Sequence, residues 1–369
     1  MEHQYNQRLE KIEAVLRAWL PENPNYDHKN WIETVFAPLP APAGPEQLRA
    51  LTLPARDLLD RGGKRWRPLL MTLVCENLGA GDAALPLTPL VEFPHTASLI
   101  HDDIEDRSET RRGEPAAHIR YGTDTALNSG AFLYFLPLSC IEGWDAPPER
   151  RLRAFRFWTR YIRRLHLGQS MDIAWHRDFA AFPSVEAYYA MCRLKTGSLA
   201  ALAAALGVLA AGKTESGEDG KNVSENEGTV INSFTETAET LGMGFQILDD
   251  VKNLTAGNPG KQQGDDVVEG KKSLPVLLYA SRRGREERKA FLRRCFSAAR
   301  EGGTGVPEVG RLIAELSRDG AIAEAEALGR GYVAGSRDFF ARQARGNLLA
   351  GLVDFIGGGF PEPQGAGHA

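Results

Sequence analysis

Apolar residues recur every three to four positions along most of the chain, the period of helices that bury one face. The pattern predicts helices over 5–20, 48–61, 68–78, 91–107, 123–141, 149–178, 184–194, 198–211, 229–253, 274–280 and 286–300. No convincing run alternates apolar and polar residues as strands do, and no short-period repeat recurs. Segment 198–211 is apolar all round and reads as a buried helix. At about 14 residues it falls short of the roughly 20 a membrane-spanning helix needs. Proline and glycine mark loops at 21–45, 79–89, 257–270 and 302–307. The acidic stretch 213–228 reads as a mobile surface loop, and 357–369 as a disordered tail. No linker separates two sets of helices. One all-helical domain over 1–356 is expected, with 1–47 an N-terminal extension packed on it.

Composition narrows the function classes. The chain is 43% hydrophobic and 25% charged, which is ordinary for a globular protein. A net charge of −4 implies no overall surface for nucleic acid. The four cysteines are widely spaced and form no CxxC pair, which argues against zinc and against a disulfide framework. The first twenty residues carry charges throughout and show no apolar signal core. These features predict a soluble, cytoplasmic protein.

Two acidic clusters carry the candidate chemistry. The first is Asp102-Asp103-Ile104-Glu105-Asp106 and the second Asp249-Asp250-Val251-Lys252-Asn253. Residues four apart share a helix face, so Asp102 pairs with Asp106 and Asp249 with Asn253. Two such faces opposed across a cavity would hold hard divalent cations. Magnesium suits them, since it takes one or two carboxylates per ion and completes its shell with water and substrate phosphate. After the first cluster comes Arg111-Arg112-Gly113, whose guanidiniums can clamp phosphate bidentately. Lys261 and Lys271, beyond the second cluster, can reach a diphosphate. Gly62-Gly63-Lys64-Arg65-Trp66-Arg67-Pro68 is a basic glycine turn before a helix, a second anion site away from any metal. Lys195-Thr196-Gly197 reads as a helix end facing a cavity or as a plain C-cap. Gln169 and Asp172 share one face, as cavity wall or polar cap. Each motif alone is compatible with a solvated surface; their company is what argues for a site.

In order, GGKRWRP, HTASLIHDDIEDRSETRRGEPAAH, LGQSMD, KTG, GFQILDDVKN and GDDVVEGKKSLP resemble the motifs of trans-isoprenyl diphosphate synthases, the polyprenyl synthetases. The resemblance spans roughly 48–279. It implies the all-α isoprenoid synthase type I fold, with helices surrounding a central cavity, usually as a homodimer. It implies three magnesium ions, with Asp102, Asp106 and Asp249 as ligands. The implied catalytic set adds Asp103, Asp250, Arg111, Lys195 and Lys261. Lys271 would touch the allylic diphosphate, and Thr196 and Gln246 would line the reacting centre. Lys64, Arg67, His95 and Arg112 would hold isopentenyl diphosphate. The proton lost after bond formation would go to pyrophosphate, so His101 is expected to be structural. A farnesyl (C15) synthase, a class I terpene cyclase, a head-to-head condensing enzyme and a non-catalytic partner subunit are the competing readings. The cyclase and the head-to-head enzyme would not need the second diphosphate site.

Three positions depart from the pattern. Asn253 replaces an aspartate, Lys252 adds charge within the motif, and Pro94 is expected to kink the first-motif helix unless that helix starts only a turn earlier. Ala97 and Ser98 lie about 6–7.5 Å along the helix from Asp102, at the level of the chain-length tunnel. Both are small, which predicts a C20 or longer product. Ala97→Phe should shorten the product, measured by sizing the prenyl chains. An unchanged distribution would mean that Ala97 does not line the tunnel.

Overall fold

A computed structural model describes residues 2–22, 24, 29–212, 223–257 and 262–359. Among the described residues the regular secondary structure is helical apart from one small hairpin, Thr110–Arg111 against Glu114–Pro115. The expected tail beyond 359, most of the acidic loop (213–222) and Lys261 lie outside the described residues. Residues 223–228 of that expected loop form the first turns of helix Val223–Thr255. The chain divides into two compact units. One comprises Met1–Arg160, Leu202–Thr235 and Phe340–Ala369; the other comprises Tyr161–Ala201 and Glu236–Phe339.

In the first unit the N-terminal helix Glu2–Trp19 presents Tyr5, Leu9, Ile12 and Leu16 as one buried stripe. It packs against helices Trp66–Asn77 and Pro89–Glu105. Burying each large aliphatic chain stabilises by about 1.5–3 kcal/mol. Tyr5 also donates to the Leu348 carbonyl at 2.6 Å, which ties the C-terminal helix Gly346–Asp354 to the same core. Part of the expected loop 21–45 is helical, at Lys29–Phe36.

Helix Pro89–Glu105 carries the first acidic motif and runs unbroken through Pro94. It starts five residues before that proline, so the missing donor falls in its second turn, where few backbone bonds precede it. The expected helix 123–141 is two helices, Thr123–Phe135 and Leu138–Glu142, parted near Pro137, which cannot donate to the ladder. Gly130 lets His101 approach closely: a Cβ there would meet its Nε2 at 2.7 Å. His101 Nε2 lies 3.3 Å from the Leu127 carbonyl, a packing role consistent with the structural expectation.

The second unit is organised around Ile247, Leu274, Phe296 and Leu312, all fully buried. Helices Pro307–Asp319, Ala321–Ala341 and Gly346–Asp354 lie beyond the last predicted element. Lys195-Thr196-Gly197 does not end a helix. It lies in a π-helical turn, Arg193–Gly197, between Val185–Cys192 and Ser198–Ala211. Gly197 is required by close approach, since its added Cβ would meet the Glu239 carbonyl at 2.9 Å and a Cβ on Gly242 would meet Gly197 Cα at 2.9 Å. The uninterrupted segment Val185–Ala211 is thus 27 residues, long and apolar enough to cross a membrane, unlike the 14-residue stretch expected. Its apolar window is 78% buried within the protein, as in a core helix.

Gly207 illustrates how tightly this helix packs in the first unit. An added Cβ would sit 2.6 Å from the Met71 carbonyl, a backbone atom that cannot rotate aside. Gly207→Ala should cost about 2 kcal/mol by overpacking, read from the denaturant midpoint. Unchanged stability would mean the two backbones separate easily.

Candidate active site

In the first unit the motif helix ends by sending its two adjacent aspartates in different directions. Neighbouring helical residues lie about 100° apart, so Asp102 and Asp103 cannot share a face. Asp103 is 1% exposed, while Asp102 and Asp106 are half-buried. Asp103 is held by Arg111, whose Nε reaches both carboxylate oxygens at 2.9 and 3.2 Å and whose Nη2 adds a shorter contact. Burial pushes the Asp103 carboxyl up, with Arg111 pulling against it.

The hairpin explains how two consecutive arginines part company. Arg111 pairs with Glu114 in register, leaving Arg112-Gly113 as a two-residue loop with φ of 54° and 78°. Positive φ at both positions is the type I′ pattern favoured in tight hairpins. Arg111 therefore turns to Asp103, while Arg112 Nη1 donates to the carbonyls of Leu58, at 3.1 Å, and Gly62. Gly63, at φ 134°, makes room for that guanidinium.

Around this turn the predicted basic residues assemble. Lys64 donates to the Ile356 carbonyl at 2.9 Å. Arg65 takes a left-handed conformation at φ 44° and turns inward to Glu13 at 2.7 Å and Glu92 at 2.8 Å. Its guanidinium is thereby committed to internal partners and locks the turn. Arg67 lies over the Trp66 ring at 4.6 Å, and its Nε is buried with no hydrogen-bond partner. Burial lowers the Arg67 pKa to about 10. Burial, with Arg67, Arg112, Arg65 and Arg111 nearby, holds the His95 imidazole well below its ordinary range. An unpaired buried donor, several cations and a neutral imidazole suit a multiply charged anion. Ala97 is fully buried, and Ser98 is half-buried with its hydroxyl bonded to the His95 carbonyl at 2.8 Å.

The second unit repeats the inward–outward division. Asp249 is exposed and Asp250 is 6% exposed. Asp250 accepts from the Tyr188 hydroxyl at 2.7 Å and from Gln246 Nε2 at 2.9 Å. Gln246 Oε1 in turn accepts from Thr196 at 2.7 Å. Burial and Asp266 raise the Asp250 pKa to about 7, with the two donors acting in the opposite direction. Lys195 pairs with Asp172 at 2.6 Å, and Lys271 with Asp266 at 3.5 Å and more closely with Glu269. Burial pushes the Asp172 carboxyl up, but Lys195 and Lys271 outweigh it and hold it below its usual range. Asp172, Tyr188, Lys195, Gln246, Asp250, Lys271 and Lys272 line one small pocket.

Asn253 does not share an exposed face with Asp249. It is fully buried, its Oδ1 accepts from the Asp266 backbone at 3.3 Å, and its carbonyl accepts from Gly264 at 3.0 Å. It anchors the returning loop. Lys252 is exposed, as its charge requires. Of the residues lining the small pocket, Tyr188, Met191, Lys272 and Ser273 were not among the predicted site. Tyr188 lies two turns before Lys195, on the same helical face by sevenfold spacing. Lys272 follows Lys271, yet is buried over the Phe296 ring at 4.5 Å and donates to the Gly270 carbonyl at 2.8 Å.

The sequence profile of the polyprenyl synthetase family matches residues 49–311. A geranylfarnesyl diphosphate synthase from Aeropyrum pernix is 33% identical over 85% of this chain and 94% of its own length. A geranylgeranyl diphosphate synthase from Methanosarcina mazei is 33% identical over 60% of this chain and 65% of its own. Among solved structures, geranylgeranyl pyrophosphate synthetase from Geoglobus acetivorans aligns with a TM-score of 0.72 at 26% identity, covering 95% and 98% of the two chains. That from Pyrococcus horikoshii aligns at 0.77 with 24% identity over 95% of each chain, a likeness of fold. The all-helical architecture is that of isoprenyl chain-forming synthases. The chain belongs to the polyprenyl synthetase family and is a trans-prenyltransferase. Enzymes of this family depend on magnesium and act on isoprenyl diphosphates.

The neutral His95 carries a pH signature. The unfolded chain takes up a proton near pH 6.5 that the folded protein excludes, so stability falls as pH drops below that value. Wild type should lose stability between pH 7 and 5 more steeply than His95→Gln. Equal slopes would show that His95 is solvated.

Proposed function

We propose that this enzyme joins isopentenyl diphosphate head-to-tail to an allylic diphosphate, and that its product is C20 or longer. The observation that carries this reading is the basic cradle of Arg67, His95 and Arg112, with its unpartnered buried Arg67 Nε and with Lys64 on the adjoining turn. A cradle of that kind serves a second diphosphate, which a terpene cyclase would not need. The similarity to a geranylfarnesyl and a geranylgeranyl diphosphate synthase supports the chain length. So do the small Ala97 and Ser98.

The acidic motifs fit magnesium. Asp102 and Asp106 present two hard oxygen ligands one turn apart, and Asp249 is exposed on its own helix. Among the described residues no three ligating side chains converge on one point. Magnesium does not require that, since it takes most of its shell from water and phosphate. Asp102, Asp106 and Asp249 are the ligands in this reading, and three ions are bound. When bound, the metal supplies Lewis acidity that stabilises the departing pyrophosphate.

The chain's own groups do the rest. Lys195, Lys271 and Arg111, each held by a carboxylate, add preorganised positive charge for the allylic diphosphate, and Lys261 is assigned to it from its place in the sequence motif. The allylic C–O bond breaks with its electron pair leaving on pyrophosphate. The isopentenyl double bond forms the new C–C bond beside Thr196 and Gln246, and the proton then released is taken by pyrophosphate. His95, neutral, donates to the second diphosphate without adding charge. Helix Thr123–Phe135 exposes Leu127 at 51% and Phe135 at 65%, two turns apart, which supports a homodimer formed on that face. Four buried free thiols accord with a reducing cytoplasm.

Purified protein with magnesium, labelled isopentenyl diphosphate and an allylic primer tests the reading by product size. Linear C20 or longer chains are expected. A C15 end product would make it a farnesyl synthase, and cyclic hydrocarbon or binding without turnover would overturn the elongation reading altogether.

A further inference from the structure

The second unit contains a continuous chain of four polar side chains, Tyr188, Asp250, Gln246 and Thr196. Consecutive distances are 2.7, 2.9 and 2.7 Å. When Asp250 is ionised its two oxygens only accept, so the Tyr188 hydroxyl donates to Oδ2 and the Gln246 amide donates to Oδ1. The opposite amide orientation would set two oxygens against each other. With its NH2 committed to Asp250, Gln246 turns Oε1 toward Thr196. The single Thr196 proton is then directed into Gln246, and its oxygen offers only lone pairs elsewhere. Thr196 is half-buried in the π-helical turn beside Lys195. Tyr188 is 1% exposed, so its hydroxyl has no bulk water to turn to.

We propose that Tyr188 is a positioning residue for prenyl transfer: it fixes Asp250 and thereby the polarity of the Gln246–Thr196 pair, so that Thr196 presents lone pairs to the reacting centre. This rests on the prenyl-transfer reading, in which positive charge develops at the allylic carbon beside Thr196. A hydroxyl that presents lone pairs stabilises that charge, whereas one that presents its proton opposes it. Loss of the Tyr188 hydroxyl leaves Asp250 with one fewer donor, so its side chain is free to rotate and no longer holds the Gln246 amide in this orientation. The substrate diphosphates are held by other side chains, so the effect belongs to the chemical step.

The test is a double-mutant cycle of Tyr188→Phe and Thr196→Val in the full-length protein, with steady-state kcat and KM for both substrates. Phenylalanine keeps the ring in the core. Tyr188→Phe is expected to lower kcat about tenfold, with both KM values within about twofold of wild type. Because the two residues act through one chain, the double variant should be no more than about twofold slower than the slower single variant. Multiplicative losses would overturn the proposal, and so would an unchanged kcat or a loss confined to KM. A wild type that elongates while Tyr188→Phe matches it sinks this proposal alone. A wild type that does not elongate sinks the functional reading and the proposal together. Should Tyr188→Phe fail to fold by circular dichroism, Asp250→Asn takes its place in the cycle, with the same non-additivity expected.

Discussion

Adjacent residues on a helix cannot share a face, and this constraint organises both acidic motifs. Each motif begins with two consecutive aspartates, and in each the second turns inward. Asp103 is buried against Arg111, and Asp250 against Tyr188 and Gln246. Their neighbours Asp102 and Asp249 are left on the more open side. A buried carboxylate without donors would be costly, so each inward aspartate is surrounded by groups that satisfy it. Those groups become oriented in return. The inward aspartates therefore shape the site, and the outward ones are suited to ligate a metal.

The cations follow a related logic. Lys195, Lys271 and Arg111 each lie against a carboxylate, at Asp172, Asp266 with Glu269, and Asp103. These pairings hold long side chains in defined places, which lowers the side-chain ordering that a bound anion would require of them. Arg65 has a different role. Its left-handed backbone and two glutamate partners make it the lock of the basic turn.

Much of this was legible in the sequence because helical spacing is a strong signal. The pairing of Asp102 with Asp106, the basic turn and the helix-rich fold all follow from period and motif order. The hairpin did not, since strands of two residues are too short to show alternation. The spacing puts Asn253 on the Asp249 face but says nothing of what covers it; Asn253 is buried and accepts from the backbone of Gly264 and Asp266. Gly197 resembles a helix cap, while its actual constraint is the close approach of Glu239 and Gly242, residues more than forty positions away. Helix Ala321–Ala341 was obscured by its glycines. Gly329 must be small because a Cβ there would crowd Ile247 and Leu248 at 3.0 Å, and such small contact residues weaken an apolar period.

The central claim is the division of labour within each aspartate pair, and magnesium dependence tests it most directly. Prenyl transfer would be titrated with magnesium in Asp102→Asn, Asp103→Asn, Asp249→Asn and Asp250→Asn. Half-saturating magnesium should rise at least about tenfold for Asp102→Asn and Asp249→Asn, a change equivalent to ~1.4 kcal/mol. For Asp103→Asn and Asp250→Asn it should stay within about twofold while kcat falls. The reverse pattern, with the buried aspartates setting the magnesium requirement, would contradict the account.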